Sequence, residues 1–383
     1  MDKLKIGVIG CGGIAKLKHF PALKKLNKRA EIVACCDIIE ERAIEAASTY
    51  GIAGAKTYVD YRKLLEDKSI DVVYVMTPNV AHAPITVDAL NAGKHVLCEK
   101  PMAATSADAK KMLDTAKRTG KKLTIGYQNR FRRDMQILHD MCHAGELGDI
   151  YFSRAHAVRR KGVPTWGVFP DKSKQGGGPL IDIGTHALDI TLWATNNYQP
   201  KLVVGSVFQK MKDNPEGNMF GPWDPKKYEV EDSAFGFIKM ENGATIYLEA
   251  TWALNIGKDQ EGLVVMCGTK AGLETVGEGA GAPTAPVEGP GRVIVHSVSH
   301  GQLVDTAPMM RSGPGPADFG GEPFRVADAE STAWLDAIVN NTEPYVKPEQ
   351  AFMVTRILEA IYRSAESGKA VEFAERSEAV AVG

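Results

Sequence analysis

Two short stretches carry residues able to move protons. The first is Asp182-x-Gly184-x-His186-x-x-Asp189, which follows the glycine run Gly176-Gly177-Gly178-Pro179. If this segment is helical, offsets of four and seven align Asp182, His186 and Asp189 along one face. A histidine with carboxylates beside it is suited to accept a hydroxyl proton near neutral pH. The glycine run would let the helix start approach a ligand. Plainer readings compete: Asp182 could favour the helix start through the dipole, with His186 a satisfied core residue. Spacing of four also serves metal ligation, but no third ligand cluster accompanies it, so no metal is expected. His139 and His143 share the spacing without a glycine loop or acid cluster, and carry no chemical expectation.

The second stretch is Glu99-Lys100-Pro101, directly after the apolar run His95-Val96-Leu97-Cys98. A lysine at the carboxyl edge of a parallel sheet points toward the crevice where ligands bind. There its ammonium could hold a substrate oxygen and stabilise alkoxide character as a hydride leaves. The competing reading is a solvated surface lysine.

The elements that must position these groups begin with Leu4 to Asp37. Leu4–Ile9 reads as a buried strand and feeds Gly10-Cys11-Gly12-Gly13-Ile14-Ala15, which fits G-x-G-x-x-[GA]. Ile14, Leu17, Phe20, Leu23 and Leu26 then lie on one helical stripe, and a second strand, Ile32–Cys36, ends in Asp37. Dinucleotide binding needs these parts in this order. Gly10 permits the turn, Gly12 admits the pyrophosphate, Ala15 lets the helix pack closely, and the helix start with Gly13 and Ile14 offers N–H groups. Asp37 can accept from the adenosine ribose and would repel a 2′-phosphate, so NAD is expected over NADP.

Helical stretches Glu40–Tyr50, Tyr61–Glu66, Val80–Ala92 and Thr105–Arg118 alternate with strand runs Asp71–Met76, His95–Cys98 and Leu123–Ile125. That alternation implies a doubly wound α/β sheet over residues 1–126, with Thr77-Pro78-Asn79 on a loop beside the cofactor. Residues 127–383 form a second, α+β domain. Helices are expected over Met135–His143 and Ile181–Ala194, after a strand Asp149–Val158. Strands follow at Leu202–Gln209, Ala234–Met240, Ala244–Thr251, Leu263–Gly268 and Arg292–Val295, in a largely antiparallel sheet. Met211–Glu231 and Gly277–Phe324 read as long irregular stretches of the sort that carry function or interfaces. Helices Val326–Val339 and Pro348–Ser367 close the chain, packing back on the first domain, and Ala374–Gly383 reads as frayed.

The 383 residues exceed one small core, and 44% hydrophobic with 24% charged residues is a soluble globular composition. A net charge of −1 argues against nucleic acid or anionic membrane as the main partner. No run reaches membrane-span length, and the N-terminus enters a strand without a signal-peptide pattern. The six cysteines sit mostly in apolar runs without C-x-x-C spacing, as reduced thiols of a cytoplasmic protein do.

Taken together, Gly10–Ala15, Glu99-Lys100-Pro101 and Gly176–Asp189 resemble the Gfo/Idh/MocA family, and the resemblance runs nearly the whole chain. It implies a Rossmann domain plus an open-sheet α+β domain that commonly makes homodimers or homotetramers. It also implies NAD(P)-dependent oxidation or reduction of a secondary alcohol on a sugar, inositol or similar polyol. By matching positions, His186 becomes the proton acceptor, Lys100 polarises the reacting oxygen, and Asp182 positions and tunes both. Thr77, Pro78, Asn79 and His82 would line the cofactor path, with Glu99 and Gln128 near the nicotinamide end. Arg159 and Trp166 are expected substrate contacts on position alone. Two other functions use the same cofactor: glycoside cleavage through transient sugar oxidation, and NAD sensing without catalysis. The intact Lys100, Asp182 and His186 set argues against a sensor, which needs no acid–base groups.

Overall fold

The computed structural model describes residues 3–276, 292–308 and 325–373. These fall into two compact units, one of residues 3–128 with 325–352, the other of residues 129–276, 292–308 and 353–373.

In the first unit, six parallel strands are ordered β3-β2-β1-β4-β5-β6. They are β1 (Leu4–Ile9), β2 (Ala30–Cys36), β3 (Lys56–Tyr58), β4 (Val72–Val75), β5 (His95–Cys98) and β6 (Leu123–Ile125). Helices alternate with them, so β4 and β6 are buried along their whole length and read as unbroken apolar runs. Strand order reverses between β1 and β4, the position where such sheets bind ligands at their carboxyl ends. Trp334 and Leu335, from the helix Val326–Val339, pack into the same core as Ile6, Val8 and Phe20.

One position of the expected helical stripe is corrected, while Ile14, Phe20, Leu23 and Leu26 join the core. Leu17 is 59% exposed, whereas Lys18 and His19 are wholly buried. The cause is Pro21, which has no N–H for the carbonyl four residues back and would clash with it in a regular helix. The chain responds with a π-helical turn over Ala15–His19 before the α-helix Phe20–Lys25. Widening the turn rotates the face by one residue and turns Lys18 inward in place of Leu17.

His95 opens β5 and gives the first unit a pH dependence. Its Nδ1 accepts from the Lys122 N–H at 3.0 Å. Burial, with Lys121 and Lys122 nearby, pushes its pKa down to about 4, against the weaker pull of Asp71. A depressed histidine means that the unfolded chain binds more protons below its ordinary pKa near 6.5. Stability should therefore fall as the pH drops from about 6.5 to about 4, by about 1–2 kcal/mol after discounting partial exposure. Urea denaturation at several pH values should show this slope flattened in His95→Gln, and an unchanged slope would overturn it.

In the second unit, nine strands are ordered β14-β13-β12-β11-β7-β10-β9-β8-β15 among the described residues. They are β7 (Ile150–Val158), β8 (Pro200–Phe208), β9 (Ser233–Met240), β10 (Thr245–Thr251), β11 (Gln260–Gly268), β12 (Gly272–Val276), β13 (Arg292–Ser299), β14 (Gln302–Thr306) and β15 (Val371–Glu372). All neighbours are antiparallel except β7 and β10. The helices Arg133–His143 and Thr185–Thr195 cover one face, where Leu138, Ile190 and Trp193 meet Val264, Met266 and Leu273.

Within the Gly277–Phe324 stretch the expected strand at Arg292–Val295 forms, longer than expected, and a further strand, β14, joins it. β13 and β14 form a hairpin whose two turn residues, His300 and Gly301, both have positive φ, the twist that suits a two-residue loop. Residues 277–291 and 309–324 of that stretch, and the expected frayed tail 374–383, lie outside the described residues. All six cysteines are free thiols, and Cys11, Cys35, Cys36 and Cys98 are buried. Among the described residues, no helix is long and apolar enough to cross a membrane.

Candidate active site

At the carboxyl end of β1, Gly10 has φ +93°, and a Cβ there would lie 2.3 Å from the Met76 carbonyl oxygen. The turn therefore requires glycine. Gly12 and Gly13 face open space, with no atom within 4 Å of where a Cβ would stand. Ala15 is wholly buried at the start of the π-turn, and Ile14 packs against the core. The Asp37 carboxylate holds this loop: Oδ2 accepts from Cys11 N at 2.8 Å and Oδ1 from Ile39 N at 2.9 Å. Each oxygen keeps a lone pair for a further donor. After β4, Thr77 carries a buried Oγ1 with no protein partner, while Pro78 is exposed and Asn79 opens the next helix. An open glycine cradle, an available carboxylate and an unsatisfied hydroxyl at the strand-order reversal fit a dinucleotide.

His82 is 1% exposed, and its Nδ1 and Nε2 lie 2.8 and 2.9 Å from the carbonyl oxygens of Pro101 and Thr77. It ties the loop after β4 to the loop after β5, and burial pushes its pKa down. Glu99 and Gln128 are likewise interior. Glu99 Oε1 bridges Lys18 Nζ and His19 Nε2, both at 2.7 Å, and Gln128 Oε1 is 3.2 Å from Lys18 Nζ. Glu330 Oε2 completes the cluster 2.9 Å from the same ammonium. Burial pushes the Glu99 carboxyl up, but Lys18 and His19 outweigh it and hold it well below the usual carboxylate range. Burial pushes Glu330 up against the pull of Lys18. Glu99 Oε2 accepts from Lys100 N at 3.1 Å, so this ionic cluster grips the backbone of the half-buried lysine. Pro21 is the sequence signal that could have revealed the inward turn of Lys18 and His19.

In the second unit, Asp182 lies in a π-helical turn, Leu180–Gly184, and His186 and Asp189 lie on the α-helix that continues from it. Gly184 sits tight against β10, where a Cβ would meet the Ala250 side chain at 2.8 Å. Asp189 gives both oxygens to the buried Arg130, at 2.9 Å to Nε and 2.5 Å to Nη2, an interior bidentate pair. Asp182 and His186 are 9% and 8% exposed, and Asp182 Oδ2 accepts from the buried Trp252 Nε1 at 3.1 Å.

The glycine run also serves a different purpose from ligand approach. A Cβ at Gly177 would lie 2.2 Å from Tyr362 Oη, and one at Gly178 would lie 2.3 Å from the Glu231 carbonyl oxygen. Glu231 is the anion at this helix start. Its carboxylate accepts from Gly178 N at 2.9 Å, Leu180 N at 3.2 Å and Tyr362 Oη at 2.6 Å. Arg159 makes a bidentate pair with Glu261, at 2.5 and 2.7 Å, and donates to the Gly162 carbonyl. Burial works against its charge, which Glu261 and then Asp182 restore, so Arg159 and Asp182 share one electrostatic neighbourhood. Trp166 is 52% exposed. Lys100 thus belongs to the first unit, and Asp182, His186, Arg159 and Trp166 to the second.

Residues 4–127 match an oxidoreductase family described as an NAD-binding Rossmann fold, and residues 140–373 match its C-terminal alpha/beta domain. The chain belongs to the Gfo/Idh/MocA family. It is an NAD-binding oxidoreductase of that family, and its two sheets are the family's two domains. Among its Gfo/Idh/MocA relatives, D-glucoside 3-dehydrogenase of Escherichia coli is 36% identical over 375 residues, covering 96% of this chain and 97% of that one. Inositol 2-dehydrogenase of Salmonella typhimurium is 34% identical over 194 residues, 50% of this chain and 55% of its own. A solved levoglucosan dehydrogenase, in complex with NADH and levoglucosan, superposes with TM-score 0.79 at 22% identity, over 97% of this chain and 99% of that one, and shares the fold.

Proposed function

We propose that the protein is an NAD-dependent dehydrogenase that moves a hydride between a secondary hydroxyl of a sugar, inositol or related polyol and NAD. The reading is carried by the full-length likeness to D-glucoside 3-dehydrogenase, joined to the cradle at Gly10–Gly13. NAD, when bound, supplies the hydride acceptor. The glycine loop, Asp37 and Thr77 would hold it. Neutral His186 takes the hydroxyl proton on a ring nitrogen while the carbon gives up its hydride. The Lys100 ammonium donates to the reacting oxygen and stabilises its developing negative charge. Asp182, fixed by Trp252, orients the pair and favours the imidazolium that forms. A cytoplasmic homodimer or homotetramer belongs to the same reading.

A panel of sugars, glycosides and inositols with NAD tests it. NADH should accumulate stoichiometrically with a keto product from at least one of them. Glycoside cleavage without NADH accumulation would instead establish the transient-oxidation reading. No turnover by the folded, NAD-loaded protein on any alcohol would leave it a sensor.

A further inference from the structure

Residues 209–232, between β8 and β9, contain little regular structure but are laced to residues 161–165. Lys161 Nζ donates to the carbonyls of Asn214 and Glu216 at 2.7 and 2.6 Å, and Met219 N donates to the Lys161 carbonyl at 3.0 Å. Val163 N donates to Asn218 Oδ1 at 2.9 Å, while Asn218 Nδ2 donates back to the Val163 carbonyl at 2.9 Å and to that of Gly221 at 2.7 Å. Thr165 Oγ1 donates to the Phe220 carbonyl at 2.6 Å.

What this lacing holds in place is apolar surface. Phe220 is 40% exposed and Trp166 is 52% exposed, and their rings meet edge to face at 4.7 Å. Large aromatic side chains fixed at the surface by so many polar contacts signal recognition rather than core packing. The cluster also leads inward. Trp166 contacts Phe169 at 5.8 Å, Phe169 contacts Trp252 at 6.3 Å, and Trp252 donates to Asp182. Arg159, locked on Glu261, stands 6.0 Å from the Phe220 ring.

We propose that Trp166 and Phe220 form a shelf that stacks a second ring of the substrate, so the protein takes a glycoside whose aglycone is itself a sugar or aryl ring. The proposal rests on the reading of Asp182 as part of the sugar-oxidising group, and names what lies beyond that sugar. Aromatic rings offer a flat apolar face at small entropic cost, and a pyranose or aryl ring presents a matching C–H or π face. A free monosaccharide or inositol has no second ring to place there. Continuity with Trp252 and Asp182 favours a substrate over a protein partner on this surface.

The test is calorimetric binding of methyl β-D-glucoside, cellobiose and p-nitrophenyl β-D-glucoside to the NADH-loaded full chain, in which the alcohol cannot be oxidised. The two-ring ligands should bind about five- to tenfold more tightly than the methyl glucoside. Trp166→Ala and Phe220→Ala should each erase most of that ratio, with circular dichroism and NAD affinity preserved. Equal affinities in the wild type, no binding of any glucoside, or a ratio that survives the double substitution would overturn the shelf. So would a double variant that changes only the oligomeric state, which would make the surface an interface. Oxidation measured separately tells the two readings apart: an intact shelf preference without NADH formation refutes the dehydrogenase reading and not the shelf.

Discussion

Lys100→Ala should lower kcat by about a thousandfold or more on whichever alcohol the protein oxidises, with NAD affinity changed by less than about twofold. The reasoning concerns charge. Loss of the hydroxyl proton builds negative charge on the substrate oxygen, which the departing hydride then carries away, and a single ammonium donor in a sheltered site is worth several kcal/mol to that alkoxide-like state and far less to the bound alcohol. The effect should therefore appear in kcat and kcat/KM together and leave KM little changed. Lys100→Arg keeps the charge but replaces a compact donor by a planar fork, and should recover only a small part of the rate. Stopped-flow single turnovers and NAD titration by fluorescence separate the effects. A folded alanine variant with normal turnover would remove Lys100 from the chemistry.

The second large effect concerns stability. Lys18→Met should destabilise the protein by about 3–5 kcal/mol, because it strands Glu99 and Glu330 in the interior without their shared cation. Lys18 is wholly buried and Glu99 and Glu330 are each 4% exposed, so water cannot take its place cheaply. Adding Glu330→Gln to Lys18→Met should return part of the loss, since one fewer buried acid then needs a counter-charge. Denaturant titration of the three proteins gives the comparison. Equal midpoints for wild type and Lys18→Met would show that the cluster contributes nothing to stability.

Much of this molecule was legible in the chain because the relevant signals are local. Strand, glycine turn and terminal acid at Leu4–Asp37 each depend on near neighbours, and Gly10 shows the positive φ its position demands. The helix that begins after Thr105 is likewise capped by a near neighbour, with Thr105 Oγ1 accepting from Asp108 N three residues on. What was hidden depends on partners far along the chain or on small departures from α-helical period. Asp189 looked like a member of the histidine group until Arg130, 59 residues away, claimed both its oxygens. Glu231 gave no sign that it would cap the helix start some fifty residues earlier. The π-turns at Ala15–His19 and Leu180–Gly184 both depart from the α-helical period, and the first puts a lysine in the core where a leucine was expected.

Because residues 325–352 belong to the first unit, the nucleotide fold lacks part of its packing until late in synthesis. A ribosome that has finished Gln128 has yet to make Glu330, Trp334 and Leu335. Until it does, the nascent sheet carries an open apolar flank and a lysine short of one of its two acids. Completion of the cofactor unit's core waits for residues 325–352. For the same reason, a chimera exchanging cofactor domains should carry the late helix with them.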